Sequence, residues 1–182
     1  MIYIVRHGQT DWNLEGRYQG RIDIELNEKG INQAKKIYEE LKNIKFDKVF
    51  SSPLKRAYQT AQIICDEDII KDERLIERSN GELEGKLKTE CTIDIDFNDP
   101  NETRLGIENI ISFRERISNF FDEITKKYKG KDILVVTHAG ISIYARCYFE
   151  GEPEDGDYNK YKLKNCEVLK YENSEDLVSE AA

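Results

Sequence analysis

The chain has 182 residues, 38% of them hydrophobic and 35% charged, and its formal net charge is −8 at pH 7. No apolar run reaches the roughly 20 residues that a membrane helix needs. The acidic balance argues against general binding of nucleic acid or of acidic membranes, which usually needs a basic face. The length suits one domain, which we assign to residues 1–171, with residues 172–182 as a flexible tail.

The first half of the chain predicts two strand–helix units. In chain order these are a strand at 2–5, a helix over about 28–42, a strand at 47–50 and a helix that opens at Ser51-Ser52-Pro53. Asn27 is a suitable cap for the first helix, and Ser52 is a suitable cap for the second, with Pro53 in its first turn. The polar, glycine-containing segment 6–27 predicts a long loop, and loops of that length are often functional.

The second half begins with a region that has no clear periodicity, residues 66–106. It predicts a small irregular cap over about 78–106, with a short strand or turn near Leu75-Ile76. Beyond it, apolar spacing predicts a long helix, and a fully apolar segment predicts a central parallel strand. The expected elements are a helix over about 107–128, a strand at 132–137, a helix that follows His138 and runs to about Phe149, and a last strand from Leu163 to Tyr171.

Alternating strands and helices are typical of an α/β domain. We therefore expect three layers, with helices on both faces of a mostly parallel central sheet and a small irregular cap. Such sheets place their functional sites just beyond the carboxyl ends of the strands.

The cysteines and the amino-terminal segment bear on location. Residues 1–5 are too short for a signal peptide, and they predict a first strand instead. The four cysteines contain no CxxC pair, so we expect free thiols in a reducing compartment. We accordingly predict a cytoplasmic protein, and we expect either a monomer or a homodimer.

The two histidines of the chain both follow predicted strands. His7 comes directly after the first strand, and His138 comes directly after the apolar strand at 132–137. Taken singly, each is more often a surface or capping histidine. Their shared placement at strand ends instead favours one functional site.

Three further residues fit the same edge of the sheet. Arg6 precedes His7, Arg56 lies near the start of the second helix, and Glu77 lies near the predicted short strand. Alone, Arg56 is more often a solvated helix residue, and Glu77 is one of 36 acidic residues. Together with the two imidazoles they form a set for phosphoryl transfer: a nucleophile, cations for the equatorial oxygens, and an acid for the leaving oxygen.

Other chemistries fit these residues less well. A metal site would need a spacing such as HExxH or HxH, which is absent from the sequence, and the arginines would repel a cation. A serine or cysteine triad would need a nucleophile elbow, and no GxSxG is present. There is also no P-loop and no GxGxxG. We expect no metal and no cofactor.

Six segments also resemble, in order, the motifs of the histidine phosphatases, the phosphoglycerate-mutase-like superfamily. They are RHGQTDWN (6–13), GRYQG (16–20), LNEKG with QA (26–34), SSPLKRAYQTA (51–61), ERSNGELEG (77–85) and VTHAG (136–140). The resemblance implies a three-layer α/β fold and a metal-independent enzyme that acts on a small phosphorylated metabolite.

The resemblance also implies a role for each site residue. His7 is the implied phosphorylated nucleophile and Glu77 the implied proton donor. The phosphoryl group would be bound by Arg6, Arg56 and His138. Further residues would line the phosphate and substrate pocket, namely Asn13, Gln19, Gly20 and Lys88.

Two branches of the family differ in the fate of the phosphoryl group. The cofactor-dependent mutases carry a longer insertion after the Glu77 segment, with a pair of adjacent arginines, and no such pair exists in this sequence. Lys88, in contrast, matches a substrate-contacting lysine of the mutases. The segment from Glu108 to Arg116 and the order His138-Ala139-Gly140 look more like the phosphatase branch, which includes alpha-ribazole-phosphate phosphatases. The sequence therefore favours hydrolysis, with a mutase and a catalytically inactive binding module as alternatives.

Overall fold

A five-stranded sheet forms the centre of the structure, a computed structural model that describes residues 1–173. Its strands in chain order are β1 (Ile2–Arg6), β2 (Lys48–Ser51), β3 (Ile69–Lys71), β4 (Ile133–Thr137) and β5 (Val168–Tyr171). They lie in the order β3-β2-β4-β1-β5, and only β5 runs antiparallel to its neighbour. The prediction of a mostly parallel sheet is confirmed, whereas the predicted tail lies outside the described residues from position 174 onwards.

Helices cover both faces of this sheet. They are α1 (Asp11–Glu15), α2 (Glu28–Leu41), α3 (Lys55–Ile64), α4 (Ile110–Lys127) and α5 (Ala139–Glu150). Successive side chains of β4 alternate between two apolar clusters, one shared with α2 and α3 and the other with α4 and α5. Because every residue of β4 is buried, this strand reads as one continuous apolar run. The three-layer prediction is confirmed.

Polar side chains cap the starts of two helices. The side chain of Asn27 accepts a hydrogen bond from the Gly30 N–H at 2.9 Å and caps α2, as predicted. Asn109 caps α4 in the same way through the Ile111 N–H at 2.8 Å, so α4 begins at Ile110 rather than at residue 107.

Several predicted boundaries are wrong. The segment 6–27 is not a continuous loop, because Thr10 caps the short helix α1. Of the strand or turn predicted near Leu75-Ile76, the turn is present as a 3₁₀ turn at Glu73–Leu75, and the third strand precedes it at Ile69–Lys71. The last strand starts at Val168, because Cys166 just before it adopts a left-handed backbone with φ 56°.

The prediction of Ser52 as the helix cap is also wrong. Leu54 occupies the cap position of α3 and makes no side-chain hydrogen bond there. The Ser52 hydroxyl lies instead 2.7 Å from a ring nitrogen of His138.

The cap region is a series of 3₁₀ turns joined to the loop around residues 16–21. Arg17 forms an isolated antiparallel bridge with Leu87, and the Glu84 carboxylate accepts hydrogen bonds from the backbone of both segments. These contacts fix the cap over the strand ends. Within the described part of the chain, no helix is long and apolar enough to cross a membrane.

Candidate active site

The register of the sheet brings the two histidines together. β1 and β4 are parallel neighbours, and Arg6 is paired with Thr137 at their carboxyl ends. His7 and His138 follow directly, and their ring centroids lie 5.2 Å apart with the planes at 60°. Both side chains are buried. The placement that the sequence indicates for these two residues is therefore present in the fold.

The ring of His7 is held in one orientation. Its Nδ1 lies 2.7 Å from the Gly8 carbonyl oxygen, which can only accept, so Nδ1 carries the proton and Nε2 carries the lone pair. Burial, together with the charges of Arg56 and Arg6, holds the pKa of His7 well below its usual 6.5. The imidazole is therefore neutral at physiological pH, with a free nucleophilic nitrogen.

Arg56 is almost completely buried and lies in the first turn of α3. Its two terminal nitrogens donate to the carbonyl oxygens of Ile22 and Gly20 at 2.8 and 2.7 Å. Each terminal nitrogen keeps a second proton that can bind an oxyanion. Burial lowers the pKa of Arg56 to about 10, against the opposing effect of Glu77, so the side chain stays cationic at neutral pH.

Thr60 connects this arginine to the nucleophile segment. Its hydroxyl donates to the Arg56 carbonyl at 2.7 Å and accepts from the Gly8 N–H at 3.0 Å. One hydroxyl thus fixes the distance between the first turn of α3 and the end of β1.

Arg6 is anchored by a hydrogen bond from Nη1 to the Leu163 carbonyl at 2.7 Å. The Nε atoms of Arg6 and Arg56 and the Nδ1 atom of His138 are buried and have no hydrogen-bond partner among residues 1–173. Buried polar groups without partners are costly and uncommon in folded proteins. Their grouping here fits a site that binds a phosphoryl group.

We predicted that Glu77 lies near the end of a strand, but the third strand already ends at Lys71. Glu77 follows the 3₁₀ turn instead. One carboxylate oxygen accepts from the Arg78 N–H at 2.9 Å, and the other accepts from the Gly140 N–H at 3.0 Å. Gly140 lies in the first turn of α5, so the backbone at the start of this helix holds the Glu77 side chain in place.

A cavity of about 410 Å³ joins these groups. Among the predicted site residues, those that line it are Arg6, His7, Asn13, Gln19, Gly20, Arg56, Glu77 and Lys88. His138 is fully buried and is not among these lining residues, but its ring lies next to that of His7, with the centroids 5.2 Å apart. The amide oxygen of Asn13 accepts from the Thr10 N–H and from Asn165 Nδ2, both at 3.2 Å, which leaves its amide nitrogen available to a ligand.

The cavity also has walls that the sequence did not indicate. They come from the loop after α1, from the cap, from α5 and from the segment after α5, and they include Tyr18, Arg78, Phe97, Asn98, Tyr144, Tyr158, Asn159 and Lys162. Arg78 is 7% exposed and donates to the carbonyl oxygens of Glu108 and Phe97 at 2.8 and 2.5 Å. A lone arginine in an irregular segment carries no periodic signal, so its burial was not predictable.

The lining is strongly cationic although the protein is acidic. Among the described residues, Glu77 is the only carboxylate that lines it, whereas the cations are Arg6, Arg17, Arg56, Arg78, Lys88 and Lys162. Burial lowers the pKa of Lys162, and the nearby charges of Lys88 and Arg6 lower it further. The cavity therefore suits a ligand with more than one negative group. No group of three or more His, Cys, Asp or Glu residues suited to a metal occurs between residues 1 and 173.

Comparisons with known proteins agree with this geometry. A model of the histidine phosphatase superfamily (branch 1) matches residues 2–179. Phosphoglycerate mutase-like protein 4 of Arabidopsis thaliana is 37% identical over 160 residues, which cover 80% of this chain and 70% of that protein. The metal-independent phosphoserine phosphatase of the same plant is 38% identical over 161 residues, with 80% and 67% covered. The crystal structure of phosphoserine phosphatase from Entamoeba histolytica in complex with 3-phosphoglyceric acid is 31% identical, with a TM-score of 0.77 over 92% of this chain and 87% of that chain.

Proposed function

This chain belongs to the histidine phosphatase superfamily, branch 1, and we propose that it is a metal-independent phosphomonoesterase that hydrolyses a small phosphorylated metabolite through a phosphohistidine on His7. The observation that carries the proposal is the buried, neutral ring of His7. The ring donates its Nδ1 proton to the Gly8 carbonyl, and the charges of Arg56 and Arg6 lie near the ring.

In the first step, the lone pair of His7 Nε2 attacks phosphorus, and the ester P–O bond breaks as the P–N bond forms. Arg6, Arg56 and His138 hold the equatorial oxygens, where negative charge is spread in the transition state. Glu77, in its protonated form, gives its proton to the leaving oxygen, so that the product departs as an alcohol.

In the second step, water attacks the phosphohistidine. Glu77, now a carboxylate, accepts the proton of that water as the new P–O bond forms and the P–N bond breaks. Phosphate leaves, and His7 returns to its neutral form with its proton on Nδ1, still donated to the Gly8 carbonyl oxygen. No step needs a metal or an added cofactor.

The substrate is inferred from the cations that the phosphoryl group does not use. Lys88 and Lys162 line the same cavity and make no ion pair within the described residues. The relatives include a phosphoserine phosphatase and a structure that holds 3-phosphoglyceric acid. We infer a phosphate monoester with a carboxylate on the leaving group.

Two observations favour a mutase as the second candidate. Lys88 lies in the cavity, and several relatives are named as phosphoglycerate mutases or as mutase-like. Transfer back to an acceptor needs a phosphohistidine that survives until a second substrate binds, whereas the sequence lacks the adjacent arginines of the mutases. A mutase would depend on a bisphosphorylated primer, and a phosphatase would not.

Rapid-quench mass spectrometry tests the proposal. Mixing the enzyme with phosphoserine or 3-phosphoglycerate and quenching at high pH should give a phosphate adduct on His7 that is labile in acid. The His7→Asn variant is the matched control and should give none. An active wild-type enzyme without the adduct would disprove the mechanism, and a protein with neither activity nor adduct would support the inactive binding module.

The same assay gives two further checks. Activity should persist in excess chelator, and release of inorganic phosphate should not require 2,3-bisphosphoglycerate. We also propose that the enzyme works in the cytoplasm, because its four cysteines are free thiols. We expect it to be a monomer or a homodimer. Size-exclusion chromatography with light scattering distinguishes the two states.

A further inference from the structure

Ser52 and His138 form a buried pair next to His7. Ser52 follows β2 and His138 follows β4, and these strands are parallel neighbours. The Ser52 N–H donates to the Val136 carbonyl at 3.0 Å, which fixes the height of the serine against β4. The Ser52 hydroxyl oxygen lies 2.7 Å from His138 Nε2, and both residues are fully buried.

The other hydrogen bonds of Ser52 determine whether the Ser52 hydroxyl or His138 Nε2 is the donor in this pair. A serine hydroxyl has one proton and two lone pairs. Its oxygen already accepts from the Leu54 N–H at 3.3 Å, and within residues 1–173 His138 Nε2 is the only acceptor that the hydroxyl proton reaches. If Nε2 carried the ring proton, the buried hydroxyl proton would have no partner, which is unfavourable. The hydroxyl therefore donates to a bare Nε2.

We propose that Ser52 is a positioning residue that holds His138 in the tautomer with its proton on Nδ1, so that a neutral His138 donates this proton to a phosphoryl oxygen. This inference rests on the proposed function, in which His138 contacts the phosphoryl group. It accounts for a separate feature of the site, namely that His138 Nδ1 is buried without a partner in the described structure.

The tautomer matters because the ring is neutral. Burial, followed by the charges of Arg56, His7 and Arg6, holds the pKa of His138 well below 6.5. A doubly protonated ring would donate from both nitrogens whatever its neighbours. A neutral ring donates from one nitrogen only, and in the opposite tautomer the Nδ1 lone pair would face the oxyanion and repel it.

The experiment reads the tautomer directly. Because the chain has only two histidines, ¹⁵N-histidine labelling gives four ring-nitrogen signals, and the His7→Asn variant assigns them. In the wild type we expect His138 to be protonated at Nδ1. In Ser52→Ala we expect the proton to move to Nε2 or to exchange between the two nitrogens. The matched control is Ser51→Ala, which removes a neighbouring buried hydroxyl that donates to the Ser52 carbonyl, and it should keep the wild-type tautomer.

Kinetics give a second readout. Ser52→Ala should lower kcat/KM about 10- to 100-fold and weaken inhibition by vanadate by a similar factor, as expected for a lost hydrogen bond to a charged group. Ser52→Thr keeps the hydroxyl and should restore the Nδ1 tautomer. Protonation of His138 at Nε2 in the wild type, or an unchanged tautomer in a folded Ser52→Ala protein, would overturn the inference. The NMR spectra do not depend on turnover, so they test the tautomer separately from the phosphatase proposal. A failure of the phosphatase proposal would appear instead as a missing phosphate adduct on His7.

Discussion

The carboxylate of Glu77 accepts a hydrogen bond from the backbone N–H of Gly140 at 3.0 Å, in the first turn of α5. A Cβ atom at position 140 would lie 2.5 Å from Glu77 Oε1 and 3.2 Å from Phe113 Cζ. Only glycine leaves room for the carboxylate there. The helix that follows His138 therefore also positions the proposed general acid.

Gly140→Ala should displace the Glu77 carboxylate and lower kcat for an alkyl phosphate about 10- to 100-fold. The same change in a Glu77→Gln background should cost little more, because the proposed acid has already been lost. A double-mutant cycle on kcat tests this coupling. Equal losses in both backgrounds would show that the new methyl group acts on something other than Glu77.

Glu77→Gln should discriminate between leaving groups. An alkoxide is a poor leaving group and needs the proton, so we expect turnover of phosphoserine to fall about 100-fold or more. For p-nitrophenyl phosphate, whose leaving group is stable without a proton, we expect only a small loss. Steady-state kcat values on the two substrates give the comparison, and equal losses would count against Glu77 as the proton donor.

The two buried histidines predict how stability depends on pH. Burial and the arginine charges hold the pKa of both rings below 6.5 in the folded state. Below pH 6.5 the unfolded chain therefore binds protons that the folded chain does not, and the free energy of unfolding decreases as the pH falls. Each histidine contributes at most about 1.4 kcal/mol per pH unit.

Urea unfolding at pH 7 and pH 5.5 measures this effect. The double variant His7→Gln, His138→Gln should lose less stability over that interval than the wild type, whatever its stability at pH 7. The same loss in both proteins would mean that other groups cause the pH dependence.

Lys162 should contribute to substrate selection. Lys162→Met should raise KM for phosphoserine about tenfold, the size of one lost charge contact in a partly desolvated pocket. KM for p-nitrophenyl phosphate, which has no carboxylate, should change little. Lys164→Met is the control, because Lys164 is exposed and is not among the residues that line the cavity. An equal increase for both substrates would indicate that Lys162 binds the phosphoryl group instead.

The sequence predicted the core of the site because of the fold's topology. His7 and His138 each follow an apolar strand, and the parallel pairing of β1 with β4 turns that pattern into contact between the rings. Arg56 follows from the same logic, since α3 starts beside the end of β2. Glu77 could not be placed by this logic, because it follows a 3₁₀ turn and is held by the start of α5.

The remaining differences have a common physical cause. Ser52 has the sequence pattern of a helix cap, and only the three-dimensional structure shows that its hydroxyl lies next to His138. Arg78 and Lys162 lie in the cap and in the loop after α5, where irregular backbone has neither a period of two nor a period of 3.6 residues. The substrate-facing wall is built from such segments, and its chemistry was therefore not predictable.

The position of β4 has a consequence for synthesis of the protein. This strand is made fourth, yet it separates β1 from β2 in the sheet and carries the chain to His138. A nascent chain that ends before residue 133 lacks β4 and β5, so both edges of β1 and one edge of β2 have no partner, and such edges promote aggregation. It also lacks His138 and the cavity wall that α5 and the segment after it supply. Translation that stops before β4 should thus yield an aggregating fragment without activity. Hydrolysis of cellular phosphate esters should therefore begin only after β4 has joined β1 and β2 in the sheet.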